Sequence, residues 1–203
     1  MKKIIRITSI ILVLLFVSGY ALLFFLPKPL LLNEINFSKA VYDDDHHQLL
    51  RLTLSKDEKF RLFTPLSHIS KQLIDATLLQ EDQYFRWHFG VNPLAMFKAG
   101  WQTYAVKSRR VGASTITMQL ARIRYRINSK KMSGKLWQII RALQIEMHYS
   151  KEQILEAYLN LAPYGGNIEG VGAASLIYFN PKKSSRTEIH SVELCHEEHN
   201  FLQ

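Results

Sequence analysis

The sequence predicts a mainly α-helical domain carried behind an N-terminal transmembrane helix. Three observations lead there. Residues 7–26, ITSIILVLLFVSGYALLFFL, contain no charged side chain, and twenty such residues are about what a ~30 Å hydrocarbon core requires. Beyond position 70, apolar residues recur at helical spacing between residues that cap helices. Between Asp82 and Glu146 lie 63 residues with no Asp or Glu and with 12 Lys or Arg.

Taken in chain order, residues 1–6 form a short tail holding Lys2, Lys3 and Arg6, and Pro27 closes the apolar run. The positive flank predicts a cytoplasmic amino terminus, with everything after Pro27 on the far side of the membrane. A cleaved signal peptide fits less well, because the run exceeds the usual ~7–15 apolar residues and no A-x-A-like cleavage site follows. Residues 27–55 are expected to be a juxtamembrane connector (PKPLLLNEINFSKA, 27–40) and a hairpin around the polar turn DDDHHQ (43–48). His46 and His47 beside three aspartates suggest a solvated turn more than a metal site, since adjacent residues converge poorly on one ion.

Residues 56–180 are expected to form the functional domain. Ser70 can cap a helix that delivers Glu81 near its end. Asn92 followed by Pro93 is a cap with proline at the first helical position. Ser114 can start TITMQLARIRYRI, and Gly134 precedes KLWQIIRALQIEMH, whose Leu136, Ile139, Ile140, Leu143 and Met147 share a helical face. Ser150 and Gln153 read as a capping box for KEQILEAYLNL, which Pro163 and Gly165-Gly166 stop. Residues 181–203 read as an atypical, charged and weakly periodic tail, as after a frameshift or an early stop.

Lys and Arg outnumber Asp and Glu by 26 to 17, a formal charge of +9. A one-signed stretch costs self-repulsion, which an anionic partner offsets. An anchored domain outside the cytoplasm argues against nucleic acid and for a phosphate-bearing lipid, although some of these cations could simply rest on anionic headgroups. The single Cys195 excludes an internal disulfide framework and a cysteine-rich zinc site.

Four motifs then appear in order: EDQYFRWHFG (81–90), GASTITMQ (112–119), ILEAYLN (154–160) and ASLIYF (174–179). Together they resemble the motifs of the glycosyltransferase family 51 peptidoglycan polymerases. The resemblance implies a lysozyme-like helical transglycosylase domain on the periplasmic side of the bacterial inner membrane, held by a single span. It implies polymerisation of a lipid-linked disaccharide-pentapeptide (lipid II) into β-1,4 glycan strands, with inversion. Glu81 matches the family's catalytic base. Asp82, Phe85, His88, Ser114, Thr115, Gln119, Arg122 and Lys135 match substrate-binding positions, Arg122 standing where lysine is usual. Mg²⁺ or Mn²⁺, held partly by the substrate's pyrophosphate, is the implied cofactor, without a metal site made by the protein alone. Lipid II, the growing strand, the membrane and other cell-wall synthesis proteins are the implied partners.

On the residues themselves, Phe85 and Trp87 could wall Glu81 from water and raise its affinity for protons. Asp82 and His88 could equally hold their loop by hydrogen bonds. Glu146 could be an exposed acid, and Glu156 a structural helix residue. The family's third motif, R-K-x-x-E, reads G-K-L-W-Q here, so Gln138 occupies the place of the second catalytic carboxylate and Gly134 that of the arginine. Within the family, Met118, GKLWQ and APYGG (162–166) resemble the penicillin-binding protein 1C branch. Members of that branch continue into a transpeptidase domain, for which 203 residues leave no room. A lysozyme-like lytic hydrolase and a non-catalytic anchored binder of the lipid-linked precursor are the competing readings.

Overall fold

The computed structural model of the chain describes residues 2–42, 49–104 and 114–179. Seven helices and two short hairpins occupy them, so the expectation of a mainly helical domain holds. Helix α1, Lys2–Phe25, is one unbroken helix of 24 residues, about 36 Å at 1.5 Å per residue. Among the described residues no helix is long and apolar enough to cross a membrane. Several apolar side chains of α1, including Leu12, Val13 and Phe16, lie outside the described set.

The expected hairpin is present. Strands β1 (Ala40–Tyr42) and β2 (Leu49–Leu52) pair antiparallel, Ala40 opposite Leu52 and Val41 opposite Arg51. Its turn, with His46 and His47, lies outside the described residues, as do Arg109, Arg110, Gly112 and the tail 181–203.

Local capping chemistry places three helices where the sequence puts them. Helix α2 (Lys71–Glu81) starts at Ser70, whose hydroxyl accepts from the Leu73 N–H, and ends on Glu81. Helix α3 (Pro93–Tyr104) starts at Asn92, whose Oδ1 accepts from the Ala95 N–H at 3.0 Å. Helix α6 (Lys151–Leu161) carries the full Ser150–Gln153 capping box.

Two helices depart from expectation. Helix α4 (Ile116–Arg124) is capped by Thr115, not Ser114, and ends before Tyr125. The Thr115 hydroxyl is buried and both accepts from the Met118 N–H and donates to the Gly90 carbonyl, which fixes the start one residue later. Helix α5 (Met132–His148) begins before Gly134 and buries a different face from the apolar one, with Gln138, Ala142, Gln144 and Ile145 inside and Leu136 exposed. The amides tolerate burial because backbone carbonyls receive them: Met118 for Gln138 at 2.6 Å and Pro27 for Gln144 at 3.1 Å. Gly134 has a steric reason. A Cβ there would stand 1.9 Å from the Asn128 carbonyl oxygen, so the preceding loop leaves no space for a side chain.

The core forms where α4, α5 and α6 meet, around Ile116, Leu120, Ile145, Ile154 and Leu159. After α6 comes a hairpin absent from the expected elements, β3 (Pro163–Gly165) with β4 (Ile168–Glu169), then helix α7 (Val171–Tyr178). The ILEAYLN stretch clips this core to the chain before α2. Glu156 Oε2 accepts from the Leu66 N–H, while Asn160 exchanges two hydrogen bonds with the Thr64 backbone. Glu156 is thereby a structural residue.

Candidate active site

Glu81 ends α2 with its side chain exposed, and its Oε2 accepts from Gln119 Nε2 at 2.6 Å. Gln119 sits on the outward stripe of α4, because Ile116, Thr117, Met118, Leu120 and Ala121 all turn inward. Arg122 follows one turn later on that stripe. From α5, Lys135 Nζ donates to Ser114 Oγ at 2.8 Å. Burial, and then the charge of Arg122, hold the Lys135 ammonium below the ordinary lysine value. Among the described residues neither Lys135 nor Arg122 has an ion-pair partner. The two cations therefore sit side by side and uncompensated, a local field that favours an anion.

Two aromatic hydroxyls lie within the field of Glu81, Tyr158 in the buried core and Tyr164 part-exposed, and sequence reasoning missed both. Burial, and then the Glu81 carboxylate, push the Tyr158 and Tyr164 hydroxyls up, so each stays neutral and able to donate. Tyr158 comes from α6 and Tyr164 from β3, more than 75 residues from Glu81 in the chain. Only the tyrosine inside ILEAYLN offered any signal.

Phe85 and Trp87, expected as aromatic walls around Glu81, point in opposite directions. Trp87 is 86% exposed, whereas Phe85 is buried in the main core. The alternation follows from the loop. Phe85 N–H bonds the Asp82 carbonyl and Trp87 N–H bonds the Tyr84 carbonyl, so successive turns send Phe85 inward and Trp87 outward.

Asp82 and His88 lie together under that loop. His88 Nε2 stands 3.0 and 2.9 Å from the two Asp82 oxygens, and Asp82 Oδ2 also accepts from the Ile116 N–H at 3.0 Å. Asp82 thus ties the 82–90 loop to the first turn of α4, where helix-dipole charge favours a carboxylate. Glu146, expected as an exposed acid, has its side chain buried instead. It receives Lys151 Nζ at 2.8 Å and the Thr117 hydroxyl at 2.6 Å, and Lys151 also donates to the His88 carbonyl. Gly90 closes the loop at φ +69°, with Ala142 O and Glu146 Cγ each 2.8 Å from where a Cβ would be, so only glycine fits.

The structure therefore brings Glu81, Ser114, Gln119, Arg122 and Lys135 to one rim. Thr115, Phe85, Asp82 and His88 are placed beneath it as supports, with little or no contact with solvent. Gln138 is fully buried between α5 and α4, with its Nε2 on the Met118 carbonyl. An open cleft of about 390 Å³ lies at the start of α5, lined by Tyr125, Asn128, Lys131 and Trp137 among others. None of the site residues expected from sequence lines it. Among the described residues no three His, Cys, Asp or Glu side chains converge to hold a metal ion.

The profile of the Transglycosylase family matches residues 46–194. The chain belongs to that family. The match runs past Asn180, into the segment that reads as an atypical tail. The chain is 39% identical to penicillin-binding protein 1C of Escherichia coli (strain K12) over 150 residues, which cover 74% of this chain and 19% of that protein. It is 39% identical to penicillin-binding protein 1A of Vibrio cholerae over 130 residues, 64% of this chain and 16% of the relative. With penicillin-binding protein 4 of Bacillus subtilis it shares 31% identity over 170 residues, 84% of this chain and 27% of the relative. The chain spans between about a sixth and a quarter of the length of these relatives.

Proposed function

We propose that this chain is a peptidoglycan glycosyltransferase, joining lipid-linked disaccharide-pentapeptide units in cell-wall synthesis. The observation that carries the reading is the pairing at the rim. One carboxylate, Glu81, is held by an amide on one oxygen, and two cations, Arg122 and Lys135, stand nearby without acidic partners. Such a pairing suits a transfer in which a hydroxyl attacks a sugar carbon and a pyrophosphate departs. Among the described residues nothing bonds to Glu81 Oε1, so that oxygen is available to take the hydroxyl proton. The acceptor oxygen bonds to the sugar carbon as the carbon–pyrophosphate bond breaks on the opposite face. The leaving group takes that electron pair, and Lys135 and Arg122 stabilise its charge. Neutral Tyr164, part-exposed on β3 within the field of Glu81, could donate to a sugar hydroxyl.

A divalent cation, Mg²⁺ or Mn²⁺, fits this rim only as an ion held chiefly by the substrate, because among the described residues Glu81 is the rim's one carboxylate and no acidic cluster forms there. Bound that way, it would add charge stabilisation to the pyrophosphate. We assign Gln138 a positioning role, joining α5 with Lys135 to α4 with Gln119. We further propose that Ile7–Leu26 is a membrane anchor with the domain on the periplasmic side, supported by the uncharged run and the Lys2, Lys3 and Arg6 flank. Lipid II, the growing strand and other cell-wall synthesis proteins are then its partners. A second reading, an anchored protein that binds the precursor without polymerising it, draws on the lack of a second carboxylate at the rim. Incubating the purified chain with labelled lipid-linked precursor and Mg²⁺ separates them: glycan strands support the first, and bound but unpolymerised precursor supports the second.

A further inference from the structure

The stretch between the apolar helix and the domain has the composition of a connector, but its backbone is bolted down. Gln144 donates to the Pro27 carbonyl, Tyr149 to that of Pro29, and Arg124 to those of Leu30 and Asn33. Arg124 also pairs with Glu34 at 3.6 Å. The Lys28 ammonium lies 4.5 Å above the Tyr149 ring, and Leu31 is buried in the main core with Leu32 and Ile35 packed on it. Pro27 and Pro29 have no N–H to satisfy and restrict the backbone further. At the end of α1, Phe24 stacks on His148, with ring centroids 6.3 Å apart. A flexible tether would need none of these contacts.

The helices that grip this stretch are the ones that build the rim. Helix α4 carries Gln119 and Arg122 on the rim and Arg124 on the connector, while α5 carries both Lys135 and Gln144. The whole stretch, residues 27–35, precedes the family match, which begins at residue 46.

We propose that residues 27–35 are a rigid strap that sets the height and tilt of the active rim above the bilayer, with Arg124, Gln144 and Tyr149 as positioning residues. The inference rests on the reading above, in which α1 is the anchor and the substrate is lipid-linked. A lipid fixes its pyrophosphate at headgroup depth, so only poses that bring Lys135 and Arg122 to that depth are productive. A freely tethered domain would spend a small fraction of its time in such poses, and apparent affinity falls by that fraction. The strap removes the search.

The test uses the full chain in phosphatidylethanolamine–phosphatidylglycerol nanodiscs. A donor dye is placed at exposed position 75 (Asp75→Cys in a Cys195→Ser background), and acceptor dyes label the headgroups. Two changes release the pose: a six-residue Gly-Ser insertion between Leu26 and Pro27, and the pair Arg124→Ala with Gln144→Ala. The unmodified chain is expected to give a narrow energy-transfer distribution and both variants a broad one. Polymerisation of long-chain precursor in the bilayer should fall about tenfold in the insertion variant, the size of effect a tenfold smaller competent fraction gives. A short-chain, detergent-soluble precursor should be used at the unmodified rate. Equal distributions in the unmodified and insertion chains, or equal losses on both substrates, overturn the proposal. Failure of the chain to enter the bilayer overturns it too, through the anchor. A narrow pose with neither substrate polymerised supports the strap and counts against the glycosyltransferase reading.

Discussion

Replacing Asp82 with Asn separates support from chemistry at the residue next to the proposed base. The Asp82 carboxylate, 7% exposed, accepts from His88 Nε2 at 3.0 and 2.9 Å and from the Ile116 N–H at 3.0 Å. An amide has one acceptor oxygen and presents N–H groups on the other side. With its oxygen at the Oδ2 position it can still accept from Ile116 and His88, but its NH2 then faces His88 Nε2 from the Oδ1 position, donor against donor. The imidazole could escape by moving its proton to Nδ1, which is buried without a partner, so that route strands a buried N–H. Hydrogen bonds to a charged group contribute ~1.5–3 kcal/mol each, and the Oδ1 contact with His88 turns repulsive as the charge is lost, so the expected cost is about 2–3 kcal/mol. For a domain of this size each kcal/mol lowers Tm by ~2–4 °C, which makes the expected drop about 5–10 °C in a thermal melt. Activity should decline with it, because the loop and α4 together set the Glu81–Gln119 contact. An Asp82→Asn protein that melts within about 1 °C of the parent yet loses polymerisation a hundredfold would refute the supporting role and make Asp82 a participant in the chemistry.

Other expected outcomes follow from single contacts. Lys135→Met removes a half-buried cation that Arg122 repels, so the melting temperature should hold or rise while binding of a lipid pyrophosphate weakens far more than binding of a neutral disaccharide. A clear loss of stability, or equal loss of both ligands, would show that Lys135 is there for structure. Gly134→Ala places a Cβ against the Asn128 carbonyl and should lower stability by the ~1–3 kcal/mol that overpacking costs; an unchanged melt contradicts the close approach. Burial works against the Asp57 carboxylate, but hydrogen bonds from Arg61 and Ser55 outweigh it and hold its pKa below the ordinary value. Its folded value being the lower one, its contribution is complete above about pH 4 and is lost as pH falls through the folded value. Asp57→Asn should therefore flatten the acid limb of a stability–pH profile, and parallel profiles for the two proteins contradict it.

The parts legible in the sequence are those whose causes are local. Ser70, Asn92-Pro93 and Ser150 with Gln153 announce α2, α3 and α6, since a cap and its partner lie within three residues. The Glu81 position was legible because it ends the first of these helices. What stayed hidden depends on distant backbone. The buried face of α5 holds Gln138 and Gln144, which apolar periodicity assigns to solvent, because carbonyls at Met118 and Pro27 accept them. Gly134 opens no helix, and its meaning lies in Asn128 pressed against it. Tyr158 and Tyr164 come within the field of Glu81 only after the chain beyond α5 has folded back across α4. Residues 27–35 read as a tether because their partners, Arg124, Gln144 and Tyr149, lie some ninety or more residues away.

The most direct test of the proposed chemistry is the polymerisation rate of a Glu81→Gln protein on labelled lipid-linked precursor, measured beside precursor binding. Gln keeps the shape and can still hydrogen-bond Gln119, but it cannot take the acceptor proton. Loss of a general base costs ~10²–10⁴-fold in rate, so strand formation should fall at least a hundredfold while binding, carried by Lys135 and Arg122, stays near that of the parent. Polymerisation within a few-fold of the parent would contradict Glu81 as the base and with it the reading of the rim.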